Sequence, residues 1–286
     1  MHPISRPGFC GPRSPIDEWA RCGPRRPTTI WGTWPPNASP PSGIAHLVAA
    51  AALLLVAAGC SPGAGVAAHR PAATPAPAAP PPPIVYAALG ASETVGIGAQ
   101  DPRRQAWPMV FYVTALPRSA VFYSFGIAGE TTEAALTAEL PAALAVRPTL
   151  ATVWLDVDDL VAGVSPADYE ARLGEIVHAL RRGGAARVLV ANTPYLDRLP
   201  LYLACRAGRT ACPFAGQVPA PAQLDAEVDA YDAAIARVAQ REGAVLVDLH
   251  SAGEVPDQHP DWVSPDGFHP SAAGYAAIAS MFAAAL

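Results

Sequence analysis

Residues 84–99, IVYAALGASETVGIGA, decide how the rest of this 286-residue chain is read. Ile84 to Leu89 is an unbroken apolar run, the pattern of a strand buried on both faces. It breaks at Gly90-Ala91-Ser92, and Thr94-Val95-Gly96 follows. A turn of small residues at the carboxyl end of a strand can hold a serine hydroxyl in the open above a sheet. In open α/β sheets, ligands bind at that edge. A Gly-x-Ser turn after a strand is common, so this stretch alone makes Ser92 no more than a candidate nucleophile.

The far end of the chain strengthens the candidate. Asp266-Gly267-Phe268-His269-Pro270 precedes an Ala-rich segment expected to be helical from Ser271 to about Ala285. Asp266 and His269 are close enough in one loop for the carboxylate to orient the imidazole. A serine nucleophile needs such a base, and the base needs such an orienting group. By itself the pattern would fit a surface loop with a helix-capping histidine. Joined to the serine turn, it points to a Ser92–His269–Asp266 triad.

The pair of motifs resembles the SGNH (GDSL-like) hydrolase family. Gly90-Ala91-Ser92-Glu93-Thr94 is similar to that family's first block, GDSxT. Residues 264–275, SPDGFHPSAAGY, are similar to its last block, DGxHPxxxGY, which is the more specific match. The resemblance spans Ile84 to the C-terminus. It implies a three-layer α/β/α sandwich with a five-stranded parallel sheet, the flavodoxin-like SGNH fold. Five alternations of strand and helix point to the same class.

Taken in order, Asp101 to Leu116 is expected to form an amphipathic helix despite Pro108. Val121 to Phe125 is a second strand. Gly126-Ile127-Ala128-Gly129-Glu130-Thr131-Thr132 then opens a helix through about Val146. This passage resembles the family's second block, in which a glycine N–H helps form the oxyanion hole; position by position, that glycine is Gly129. Leu150 to Leu155 is a third strand, entering Asp156-Val157-Asp158-Asp159-Leu160 where the family has GxNDL. Here the chain departs from the pattern. Asp156 stands at the Gly position and Asp158 at the Asn position, where the resemblance implies an oxyanion donor. An ionised carboxylate only accepts.

Three accounts of Asp158 stay open. An apolar site could hold it protonated, so that it donates. The oxyanion could rely on the Ser92 and Gly129 N–H groups alone. Or the protein could be a non-hydrolytic relative. Asp156, Asp158 and Asp159 also suggest a cation site, but three carboxylates adjacent in sequence do not make a coordination shell.

Ser165 to Arg182 reads as a helix with a capping serine and an early proline, ended by Gly183-Gly184. His178 lies within it as a structural residue. Arg187 to Ala191 is a fourth strand, leaving through Asn192-Thr193-Pro194 on the edge that would shape substrate binding. Tyr195 to Pro221 is irregular, a candidate lid, and contains Cys205 and Cys212. In an exported protein these favour a local disulfide over free thiols. Ala222 to Gln240 is a helix and Ala244 to Leu249 the fifth strand. His250 and His259 lack the context of His269 and read as loop residues.

Ahead of the domain, residues 1–43 are rich in Pro, Gly and Arg and would not bury a core. They are expected to be disordered, or an over-extended gene start with the true start nearer Ile44. Cys10 and Cys22 have no matching Cys/His set. Ile44 to Gly59 is apolar but short for a membrane span and suits the apolar region of a secretion signal. Val56-Ala57-Ala58-Gly59-Cys60 resembles a bacterial lipobox, which would make Cys60 the lipidated first residue of an envelope-anchored lipoprotein. An ordinary cleaved signal, giving a secreted protein, is the alternative. Residues 61–83 are an Ala/Pro-rich linker, and residues 84–286 the hydrolase domain.

All 19 basic residues are Arg, and the formal charge is −5. Without residues 1–59, 14 Arg stand against 22 acids, a formal charge of −8. An acidic body with no basic cluster argues against nucleic acid and other polyanions. The expected activity is that of an exported serine esterase acting through an acyl-enzyme on a small ester, lipid or acylated sugar. No cofactor or metal is called for. The alternatives are a catalytically weakened or inactive binding protein on the same fold, and an O-acyltransferase acting on an envelope sugar.

Overall fold

Five parallel strands carry the domain, in the order β2-β1-β3-β4-β5. The computed structural model describes residues 83–286 except 183–184, 211, 213–217 and 252–257. The expectations for residues 1–82, Cys60 among them, and for Gly183-Gly184 lie outside the described residues. The described residues fall within one unit, Thr74–Leu286.

Strand β1 is Val85–Gly90, β2 Val121–Ser124, β3 Leu150–Trp154, β4 Arg187–Ala191 and β5 Val245–Val247. Strand β1 pairs with β2 on one side and β3 on the other, in registers that place Ala87 beside Tyr123 and Gly90 beside Trp154. The chain therefore reverses its direction of travel across the sheet between β1 and β3. That reversal opens a crevice at the carboxyl edge of the two strands.

The central strands read as continuous apolar runs because helices cover both faces. Every residue of β3 is buried, as is all of β1 beyond Val85. Ala87, Leu89, Val153 and Val190 join one core with the helices Thr132–Thr137 (α4), Glu139–Ala145 (α5), Pro166–Arg181 (α7) and Pro221–Glu242 (α9). The alternate residues Tyr86, Ala88, Leu189 and Val247 join a second core with Trp107–Ala115 (α3) and Ala272–Ala284 (α10). There Trp107 stacks on Phe282 with ring centres 4.1 Å apart, which fixes α10 against α3. The short helices Ser92–Val95 (α1), Pro102–Gln105 (α2), Val157–Val161 (α6) and Pro200–Arg206 (α8) lie in the connections. Among the described residues no helix is long and apolar enough to cross a membrane.

Where the sequence reading differs, proline is the usual reason. The helix expected over 101–116 is interrupted at Ala106, whose ψ of 139° is extended. Pro108 then sits in the first turn of α3, where its missing N–H costs nothing. The helix expected through Val146 is broken at Ala138, between α4 and α5. Pro141 would clash with the carbonyl of Thr137 in a continuous helix. The segment expected to be irregular, Tyr195–Pro221, contains α8. Strand β5 stops at Val247 because the next ladder position is taken by a side chain: Leu249 N–H donates to Asn192 Oδ1 at 2.6 Å. Ser165 caps α7, accepting from Asp168 N–H at 3.1 Å.

Candidate active site

Ser92 lies just past the end of β1, at the crevice between β1 and β3. The turn can be this tight because Gly90 has no side chain. A Cβ there would collide with Thr94 Oγ1 and with the carbonyl of Trp154 on β3. Ser92 thus opens α1 with its side chain at the carboxyl edge, mostly buried at 8% exposure.

The fold brings His269 to it across 177 residues of sequence, with His269 Nε2 3.0 Å from Ser92 Oγ. His269 Nδ1 donates to Asp266 Oδ2 at 2.7 Å. Asp266 is itself held by three further donors to its other oxygen: Ser264 Oγ at 2.8 Å, Phe268 N–H at 2.8 Å and His269 N–H at 3.0 Å. Ser264 N–H returns a bond to the His269 carbonyl at 2.8 Å. The loop is therefore a closed unit that presents the imidazole in one orientation. Helix α10, which follows this loop, is tied to the segment after Ser92: Tyr275 Oη donates to Ile97 O at 2.5 Å.

Electrostatics follow from these contacts. Burial alone would raise the Asp266 pKa, but the bonds from His269, Phe268 and Ser264 outweigh it, and Asp266 is lowered well below the ordinary carboxylate range. For His269, burial opposes the charged form. The Asp266 hydrogen bond and the negative charges of Glu93, Asp266 and Asp158 win, and the imidazole is raised above its usual value.

The sequence reading does not single out Glu93. The Ser92 hydroxyl donates to Glu93 Oε2 at 3.1 Å, so Ser92 has two acceptors. The only signal in sequence is a carboxylate inside an otherwise small and apolar turn.

The three neighbouring aspartates have separate tasks. Asp156 caps α6, accepting from Val157 N–H at 2.6 Å, and also accepts from Trp154 Nε1 at 3.1 Å. Burial first, then Glu93 and Asp232, push it well above the carboxylate range. Asp159 reaches across to α4 and accepts from Thr132 N–H at 2.7 Å and Thr132 Oγ1 at 2.6 Å. Asp158, half-buried, is the one whose charge is coupled to both Glu93 and His269. Burial, then Glu93 and Asp159, raise it to about 6. The described residues hold no group of three or more His, Cys, Asp or Glu that could bind a metal ion.

Gly129 lies exposed in the loop after β2 with φ of +79°, a left-handed conformation that favours glycine. Its loop is tied to the serine turn by Glu139, a second residue the sequence reading passes over. Glu139, 1% exposed, accepts from Gly90 N–H and from Ile127 N–H, each at 3.0 Å. Burial and the nearby Glu130 raise it to about 8, against the pull of those two donors.

Among the described residues the other histidines, His178, His250 and His259, have other partners than Ser92. His178 pairs with Glu242 on the surface at 3.0 Å. His259 stacks on Trp262. His250 has more of a setting than a loop residue: its Nδ1 is 3.0 Å from Asp232 Oδ2 and 2.9 Å from the Thr193 carbonyl. Cys205 and Cys212 are joined by a disulfide, with Cα atoms 5.5 Å apart. Leu201, in the helix that carries Cys205, donates its N–H to Gly267 O at 2.9 Å, which seats α8 on the histidine loop.

Comparison with known proteins agrees with this geometry at the level of family and fold. The GDSL-like lipase/acylhydrolase family profile matches residues 88–277. No curated protein matches. Solved structures similar to this chain include a GDSL-like lipase from Parabacteroides merdae, 16% identical with a TM-score of 0.55, covering 71% of this chain and 94% of that one. A lipase/acylhydrolase from Enterococcus faecalis is 16% identical with a TM-score of 0.53, over 70% and 94% of the two chains. The psychrotrophic esterase EstA of a Pseudoalteromonas species, seen in a form inhibited by monoethylphosphonate, is 16% identical with a TM-score of 0.52, over 71% and 96%. On its family match and its fold, this chain belongs to the GDSL-like lipase/acylhydrolase family of hydrolases.

Proposed function

We propose that this protein is a serine esterase in which Ser92 is the nucleophile, His269 the general base and acid, and Asp266 the orienting carboxylate. The observation that carries the reading is the hydrogen-bonded chain from Asp266 through His269 to Ser92, with links of 2.7 Å and 3.0 Å. Ser92 Oγ attacks the acyl carbonyl and gives its proton to His269 Nε2. Asp266 stabilises the imidazolium that forms. The oxyanion is met by the N–H groups of Ser92 and Gly129, with Asp158 beside them. His269 then returns the proton to the departing alcohol, and water releases the acid from the acyl-enzyme by the same relay. The inhibition of the Pseudoalteromonas esterase by a phosphonate fits a family that uses an activated nucleophile.

The apolar stretch before Cys60 supports export with lipid anchoring at that cysteine. Replacing Cys60 by Ser is expected to abolish incorporation of labelled palmitate and release the protein from membranes. Retention of label would contradict the anchor.

The direct test is hydrolysis of p-nitrophenyl acetate and butyrate by the whole protein and by Ser92→Ala. Turnover that disappears in the variant is the expected result. Equal rates in two folded proteins would favour the second reading, a binding protein whose oxyanion site has been spoiled by Asp158. If ester cleavage is slow but an added sugar alcohol captures the acyl group, the activity is transfer rather than hydrolysis.

A further inference from the structure

At Glu93, whose carboxylate accepts from the Ser92 hydroxyl, opens a cleft whose walls are aromatic and aliphatic with one exception. Trp154, Trp262 and Phe268 supply rings, together with Tyr195, and leucine, valine, isoleucine and methionine side chains complete it. Glu93 is the one charged residue in the lining. Phe268 and Pro270 flank His269 in sequence, and Glu93 adjoins Ser92, so the cavity opens next to the reacting atoms.

A carboxylate in apolar walls loses hydration and needs a partner. Glu93 is 9% exposed, and its donor is the Ser92 hydroxyl. That donor is lost during turnover, because an acylated Ser92 oxygen has no proton to give. His269 is the nearby group that can carry positive charge, and it has to be neutral to act as a base. Arg198 packs over the Tyr195 ring at 4.7 Å but does not line the cavity. His250 stacks on the same tyrosine at 4.0 Å. Tyr195 is thus already engaged and Trp262 stacks on His259 at 4.2 Å, while the ring contacts of Trp154 and Phe268, to Trp107 and His269, are edge-on rather than stacked. A neutral acyl chain in this cavity would meet the Glu93 carboxylate with no cationic side chain among the described lining residues. A cation would be attracted both by the carboxylate and by the ring faces.

We infer that the cavity receives a positively charged part of the substrate, an ester bearing an ammonium or quaternary ammonium group a few bonds from the scissile carbonyl. Glu93 is the specificity-determining residue. The inference rests on Ser92 being the nucleophile, and it names the substrate class of that same site.

Acetylcholine and 3,3-dimethylbutyl acetate have the same shape and differ in charge, so the ratio of their kcat/KM values isolates the cation. The whole protein is expected to prefer acetylcholine by about tenfold or more, and Glu93→Gln to bring the ratio close to one. A wild-type ratio of one or below, or a ratio that Glu93→Gln leaves in place, would overturn the inference. If neither ester is turned over and Ser92 takes no fluorophosphonate, the esterase reading fails first. Binding then decides the cavity separately. Tryptophan fluorescence of the whole protein, titrated with choline and with 3,3-dimethylbutan-1-ol, should show saturation by choline alone, abolished in Glu93→Gln. Equal responses to the two would reject the cation site.

Discussion

The Ser92 hydroxyl carries one proton and faces two acceptors, His269 Nε2 at 3.0 Å and Glu93 Oε2 at 3.1 Å. While the imidazole is charged it donates to Ser92, and Ser92 donates to Glu93. Only when His269 loses its proton can the hydroxyl turn to Nε2 and be activated. Because the His269 pKa is raised, the acid limb of kcat/KM is expected to lie above the ordinary histidine value near 6.5. Glu93→Gln removes one cause of that rise, and a pH profile should show the limb moving to lower pH. A limb unmoved by the substitution would sever Glu93 from His269. Asp158 sets a second condition, since it donates to an oxyanion only below its pKa of about 6. On the proposed mechanism His269 acts only once deprotonated, and its pKa is raised, so Asp158 would be ionised at working pH and would oppose the oxyanion. A missing oxyanion donor typically costs about 10²–10³ in rate. Asp158→Asn is therefore expected to raise kcat at pH 8 by at least about tenfold, with a smaller gain near pH 6. A fall in kcat at both pH values would give Asp158 a positive role of its own.

At the scale of elements, two buried carboxylates join the loops that build the site. Asp159 on α6 holds the start of α4 through both donors of Thr132. Glu139 on α5 holds the serine turn at Gly90 and the Gly129 loop at Ile127. Replacing Glu139 by Leu would take the carboxylate from Gly90 N–H, whereas Ile127 N–H keeps the Gly90 carbonyl at 3.0 Å. A buried donor left unpaired costs about 1–3 kcal/mol, and urea unfolding should register a loss of that size. Burial raises the Glu139 pKa to about 8 in the folded protein, whereas the unfolded chain titrates at the ordinary glutamate value. The folded state therefore holds this proton more tightly. Its contribution to stability is full at acid pH and is lost as pH rises toward and through 8. Glu139→Gln cannot titrate, so it should lack that decline, which urea midpoints at pH 6 and pH 9 would reveal. An identical decline in both proteins would assign the loss to another group.

Across the whole molecule, the strand order places β1 and β3 on either side of a reversal. The site is assembled from the turn after β1, the segment after β3 and the loop before α10. That architecture is legible because its signals are local and strong: apolar runs for strands buried on both faces, a small-residue turn at Ser92, and an Asp-x-x-His-Pro loop leading into a helix. The breaks at Ala106 and Ala138 are written in Pro108 and Pro141, but helical periodicity across them is continuous enough to hide them. Helix α8 has seven residues, too few for a period to emerge. Glu93 and Glu139 are not legible as parts of the site. A charged residue in a turn or a helix reads as solvent-facing, and only the fold shows these two turned inward, toward an apolar cavity and toward two backbone donors. The central claim is that Ser92 is an activated nucleophile. The most direct test is the intact mass of the whole protein after treatment with a fluorophosphonate, with the adduct located by peptide mapping. One adduct is expected, on Ser92, absent in Ser92→Ala and strongly slowed in His269→Ala. A folded protein that takes up no label, or takes it elsewhere, would contradict it.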